Sequence, residues 1–173
     1  MKKILFSLIA LMAVMTVQAQ SICSTWRSMQ PVVETDEDGS FMAQTITYTF
    51  YKDGTFSFVD ELTQSTQPAQ TMALEIASSI EIKGTYVFDG TNLTLTPNID
   101  TYKSELISVS MNGKVSNNPM LTSQVTEMLN SEEFKTPFGE SETNTVKVNG
   151  DMLELTDSEQ HTLTFMRFAT IQE

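Results

Sequence analysis

Through most of the chain, apolar and polar residues alternate with a period of two, the pattern of half-buried β-strands. Ile46, Tyr48 and Phe50 point one way and Thr45, Thr47 and Thr49 the other; after Lys52-Asp53-Gly54 the alternation resumes, with Phe56 and Phe58 set against Thr55 and Ser57. A three-residue loop with Gly54 in the left-handed region puts Phe50 opposite Phe56 and Tyr48 opposite Phe58. A two-residue loop would face Phe50 with Ser57, so the pattern selects the longer loop. Ile80, Ile82, Tyr86 and Phe88 share another face, and a four-residue turn over Asp89-Gly90-Thr91-Asn92 pairs Phe88 with Leu93 and Tyr86 with Leu95. Asn149-Gly150 is the strongest short hairpin signal. A two-residue turn there pairs Val146 with Leu153, on the face that also carries Val148 and Leu155. A last strand runs over residues 162–168, with Leu163 and Phe165 on one side.

The period changes in one place. Asn118 reads as an N-cap and Pro119 as the first turn of a helix. Leu121, Val125, Met128 and Leu129 then follow at i, i+4, i+7 and i+8, a single apolar stripe. This helix is expected to end near Phe134, before Pro137 and Gly139, and to cover an opening or edge of the sheet. Residues 72–79 fit either strand or helix. Residues 63–70 and 35–40 are polar and turn-rich and read as loops. No internal repeat or domain boundary is visible. Eight or more short strands joined by hairpins lead to a closed barrel or a two-sheet sandwich, since both bury alternating residues.

Composition adds a compartment. Lys2 and Lys3 precede an apolar run over residues 4–14 broken only by Ser7, and Val17-Gln18-Ala19 places small residues where a signal peptidase reads. Residues 1–19 are therefore expected to be a signal peptide, leaving 154 of the 173 residues as one domain, 20–173. No later segment has the apolar length of a spanning helix. Cys23, the only cysteine, lies where a lipoprotein anchor would sit. A lipobox, however, wants Leu three positions earlier and a small residue just before, and Gln20 and Ile22 stand there, so no lipid anchor is expected. One thiol cannot make an internal disulfide, so stability must come from packing. Removal of Lys2 and Lys3 takes the formal charge from −12 to −14. That excess argues against nucleic acid and anionic lipid surfaces as partners.

Four short motifs carry a family resemblance: Ser24-Thr25-Trp26 near the expected mature start, Tyr51-Lys52-Asp53-Gly54-Thr55-Phe56, Gly84-Thr85-Tyr86, and Leu163-Thr164-Phe165-Met166-Arg167 near the end. Their order resembles that of the lipocalin-like proteins exported by Bacteroidetes, within the calycin group. Those proteins open with Gly-x-Trp and close with an Arg beneath that Trp; here Ser24 stands in place of the Gly. The resemblance implies a single antiparallel up-and-down β-barrel, all-β, with one short helix before the last hairpin. Independently of family, a guanidinium over an indole face is worth about 1 kcal/mol. Trp26 and Arg167, near the two chain ends, are expected to make this structural contact as the ends meet.

The inventory of reactive groups is short. His161 is the only histidine, which excludes multi-histidine metal sites and charge-relay hydrolysis. It reads as a surface residue at a strand start. Glu34-x-Asp36-x-Asp38-Gly39 resembles a calcium loop in outline, but Thr45 occupies the position that needs a bidentate Glu, so an acidic hairpin tip is expected. The pairs Asp60/Glu61 and Glu132/Glu133 are adjacent in sequence, which does not oppose them across a cleft. No phosphate-cradling loop or nucleophile elbow is present.

The expected function is that of an exported, non-enzymatic, lipocalin-like binding protein, periplasmic or extracellular. It would use no cofactor and no metal, and take a small apolar or amphipathic ligand. The expected ligand-binding residues are Tyr48, Phe50, Phe56, Phe58, Tyr86 and Phe88 inside the barrel, with Leu121 and Val125 from a helical lid. The alternative is a filled barrel acting as an interaction or structural module for a protein partner at the cell envelope. A void of roughly 300 Å³ or more would favour the binder.

Overall fold

A computed structural model describes residues 22–36, 39–69 and 72–169. The expected signal peptide and Asp38 of the acidic motif lie outside these residues. The chain order is β1 (Thr25–Ser28), β2 (Val32–Thr35), β3 (Phe41–Phe50), β4 (Thr55–Ala69), β5 (Met72–Phe88), β6 (Asn92–Met111) and β7 (Lys114–Val115). Then come α1 (Pro119–Leu129), α2 (Glu132–Lys135), a 3₁₀ turn (Thr136–Gly139), β8 (Glu142–Asn149), β9 (Met152–Thr156) and β10 (Thr162–Ala169).

All the pairings are antiparallel, in the order β1-β10-β9-β8-β6-β5-β4-β3-β2, with β7 added to β6. Because β1 also pairs with β3, eight strands are hydrogen-bonded in a ring. Trp26 is the hinge of that closure, lying opposite Arg167 on β10 and Tyr48 on β3. The Arg167 guanidinium sits 4.3 Å from the centre of the Trp26 ring, and the indole N–H donates to the Ile22 carbonyl at 2.8 Å. The contact expected between the chain ends is therefore present.

Two of the three expected hairpin registers hold. Phe50 faces Phe56 and Tyr48 faces Phe58, across a loop in which Gly54 has φ +82°. Phe88 faces Leu93 and Tyr86 faces Leu95. The third needs correction: Val146 faces Leu155 and Val148 faces Leu153, because the turn residues are Gly150 and Asp151 rather than Asn149 and Gly150. Gly150 takes φ +62° while Asn149 stays extended as the last pair of the ladder, the placement favoured by a turn with glycine at its first central position. The slip is two residues, so every side chain keeps its face.

Of residues 63–70, expected to be loop, 63–69 continue β4: residues 63–65 pair with both β3 and β5, and Thr66 and Ala69 with β5 alone. The ambiguous segment 72–79 is strand. The single expected helix breaks at Asn130. There Ser131 starts α2 afresh, its hydroxyl accepting from the Phe134 N–H at 3.2 Å, with Glu132 and Glu133 in the new first turn.

The lengths of β4, β5 and β6 divide the interior in two. Inside the ring, Trp26, Phe50, Phe165, Leu93 and Leu153 are fully buried and pack with Tyr48, Phe56 and Leu155. Beyond the ring the three long strands run on, and Ile76 and Val109 bury against Val125 and Leu129 of α1, with Leu121 and Phe134 alongside. The tight turns at 51–54, 89–91 and 150–151 gather at one end of the ring, where Phe50, Leu93 and Leu153 are fully buried.

Candidate functional site

At the end opposite those turns the ring holds a cleft of about 510 Å³. Val32 of β2, Ile46 and Tyr48 of β3, Phe58 of β4, Leu155 of β9, and Leu163 and Phe165 of β10 form its apolar lining. These are the inward positions of alternating strands, which is why one period of two in the sequence delivers them to one place. The polar lining comes from Gln44, Asn144, Glu34, Glu142, Asp157 and His161. A smaller void of about 130 Å³ adjoins it, sharing Tyr48, Phe58 and Glu142 and reaching Phe56, Pro137 and Phe138.

The second void exists because β6 and β8 part company early. They pair only from Asn92 opposite Thr145 to Leu95 opposite Glu142. The 3₁₀ turn lies against β6 beyond that point. Its Phe138 ring packs 6.4 Å from Phe58 and 5.9 Å from each of Tyr102 and Phe134, centre to centre, linking the cleft wall to the second core.

Tyr48 is the pivot of the site. Its ring stacks on Phe50 at 5.6 Å and tilts against Phe58 at 5.1 Å, and its hydroxyl makes a long 3.5 Å donation to Glu142. Burial, reinforced by the Glu142 carboxylate, holds the phenol well above its ordinary pKa, so it remains a neutral donor. Beside it, Asp60 of β4 is fully buried between Phe58 and Leu62, opposite Ile46 and Ile80. One oxygen accepts from Gln44 Nε2 at 2.8 Å, and the other, Oδ1, has no hydrogen-bond partner. Desolvation raises its pKa to about 6, against the opposing pull of the Gln44 hydrogen bond. At the rim, Asp157 accepts from the His161 N–H at 2.9 Å and the Glu159 N–H at 2.8 Å, which lowers its pKa.

The expected ligand-binding residues divide into three groups. Tyr48 and Phe58 line the cleft, and Phe56 lines the smaller void. Phe50 is sealed in the core, Tyr86 packs edge-on to it at 5.1 Å and donates to the Tyr51 carbonyl at 2.8 Å, and Phe88 packs against the same core. Leu121 and Val125 are not a lid over the aromatics; they belong to the second core, because α1 packs on the extension of β5 and β6. The sequence reading missed Gln44, Glu142 and Asn144, and weighed Asp60 only as one of a carboxylate pair. The signal was there: each is a polar residue in phase with the inward apolar face of its own strand.

Among the described residues no cluster of His, Cys, Asp and Glu could hold a metal ion, and no helix is long and apolar enough to cross a membrane. Asp60 and Glu61 point to opposite faces, Asp60 buried and Glu61 outward in an ion pair with Arg27. The geometry offers shape, apolar surface and hydrogen-bonding groups. Comparison with known proteins finds no family model and no curated protein that matches the chain.

Proposed function

We propose that the chain is an exported lipocalin-like β-barrel, acting outside the cytoplasm, whose cleft binds and releases a small apolar or amphipathic ligand without covalent chemistry. The observation that carries this reading is the cleft itself, about 510 Å³ and walled by Ile46, Tyr48, Phe58, Leu155, Leu163 and Phe165. Small-molecule sites typically enclose about 300–1,000 Å³ with a mostly apolar lining and a few placed polar groups. The closed ring of eight strands supports the barrel, and the Trp26–Arg167 contact supports the calycin resemblance. The leader-like residues 1–19 support export.

Native mass spectrometry of the mature protein from its own host, followed by denaturing extraction, tests the reading. The expected result is an adduct that disappears on denaturation, together with saturable one-to-one binding of a neutral probe such as 1-decanol. Binding should weaken at least about tenfold in Phe58→Ala, since a large aromatic contact is worth about 1.4 kcal/mol or more. A bare protein that also fails to bind the neutral probe would overturn it.

A further inference from the structure

The cleft is apolar along its floor and acidic at its mouth. Glu34 of β2, Glu142 of β8 and Asp157 of the β9–β10 turn all line it, and no lysine or arginine is among its lining residues. His161 is the one basic group there, and its ring Nδ1 already lies 3.2 Å from Asp157 and 3.8 Å from Glu159. Beneath the mouth, Asp60 turns inward among the cleft-lining Gln44, Ile46 and Phe58, fully buried and with Oδ1 unpartnered.

We propose that the occupant is an amphipathic cation: an apolar body lying on Tyr48, Phe58, Leu155 and Leu163, with an ammonium-type head held among Glu34, Glu142 and Asp157. This rests on the reading of the cleft as a binding site. The rim carboxylates are exposed, so the head keeps part of its water while the body loses its own, the division that costs least for a charged amphiphile. An anionic head in the same place would meet three carboxylates at the rim. A neutral head would be indifferent to them. The overall acidity of the chain adds a long-range attraction that any cation feels, so the test must separate the rim from the rest of the surface.

Isothermal titration of the mature protein with decyltrimethylammonium, 1-decanol and decyl sulfate, all below their micelle concentrations, makes that separation. The cation is expected to bind about tenfold tighter than the alcohol, the sum of a few solvent-exposed charge attractions, and the sulfate weakest. The preference should shrink as salt is added. In Glu34→Gln/Glu142→Gln/Asp157→Asn the ratio of cation to decanol affinity should fall to a few-fold or less, whatever the change in decanol affinity itself. In Glu105→Gln/Glu127→Gln/Glu133→Gln, which removes the same charge elsewhere, it should persist. Equal binding of cation and alcohol, or equal loss of preference in both triple variants, overturns the cation assignment and leaves the cleft a site for neutral ligands. Failure of all three probes overturns both readings.

Discussion

Asp60 should make the protein less stable as pH rises from 4 to 7. Its carboxyl is fully buried, one oxygen has no partner, and its pKa is raised from 3.8 to about 6 by desolvation. Between those two values the native state keeps a proton that the unfolded chain has already released. Unfolding therefore releases a proton, and raising the pH draws the equilibrium toward the unfolded state. At 1.36 kcal/mol per pKa unit the full shift is worth about 3 kcal/mol, and partial relaxation around the site brings the expected loss to about 2–3 kcal/mol.

Asp60→Asn removes the titration but keeps the shape and an oxygen that can accept from Gln44. At pH 4 the two proteins should be similar, within about 1 kcal/mol, since both then carry a neutral polar group. At pH 7.5 the variant should be the more stable by the full amount. Urea unfolding followed by the emission of Trp26, the only tryptophan, reads this directly. With a slope of about 1–3 kcal/mol per molar urea, the midpoints should separate by about 0.7–3 M across that pH range. The exposed carboxylates Asp53, Asp89 and Asp157, whose pKa values are lowered by hydrogen bonds, act in the opposite sense and below about pH 4. They are common to both proteins and cancel. Midpoints that stay parallel from pH 4 to 7.5 would refute the reasoning.

Arg167→Ala should cost about 1–2 kcal/mol, the cation–π contact with Trp26 plus the hydrogen bonds to Asp151 and the Gly150 carbonyl, and should shift the Trp26 emission; Arg167→Lys should restore only part. Gly84→Ala should cost at least about 2 kcal/mol, because the new Cβ would overlap the Thr96 carbonyl and lie 2.7 Å from the Phe56 ring and 2.8 Å from Pro97 Cα. Gly113→Ala, with open space but φ +74°, should cost only about 1 kcal/mol by comparison of thermal midpoints. Leu129→Ala, in the second core, should cost about 2–5 kcal/mol while leaving the affinity for 1-decanol unchanged at temperatures where it is folded; weakened binding would return α1 to the role of lid.

What the sequence disclosed was decided by local chemistry. The Lys52-Asp53-Gly54 and Asp89-Gly90-Thr91-Asn92 turns were readable because their length is forced by the aromatic residues that must face each other. The Asn149-Gly150 register was not, because two placements of the same glycine conserve the buried face and only the backbone angle of Asn149 separates them. Residues 63–69 looked like loop because they are polar, yet β3 and β5 take up the backbone groups of 63–65 on both sides and β5 carries the strand on through Thr66 to Ala69. The break at Asn130 was signalled by Ser131-Glu132-Glu133, a helix start hidden inside an apolar stripe that continued across it. Which core received Leu121 and Val125 depended on how far β5 and β6 outrun the ring, and no local pattern states that. For the site, the aromatic residues drew attention, but the polar interruptions at Gln44 and Asn144 mark the cleft wall, with Asp60 hydrogen-bonded to Gln44.

Those interruptions form a belt. Gln44 and Asp60 lie between the aromatic core and the second core, and Ser78, buried with its hydroxyl unpartnered, lies opposite Leu62 in the next row. A continuous apolar interior there would be more stable, because a buried carboxylate with an orphaned oxygen costs free energy that a leucine would not. Two accounts of the belt differ in consequence. If it only keeps the two cores in register, Asp60→Asn yields a more stable protein whose cleft still favours the cation by the same factor. If its negative field serves the cleft, the same substitution yields a more stable protein whose preference for decyltrimethylammonium over decanol is reduced at pH 7.5 and unchanged at pH 4, where Asp60 is already neutral. The second outcome is expected, because Asp60 shares its hydrogen bond with Gln44 of the cleft wall and its field reaches the Tyr48 phenol that borders the site.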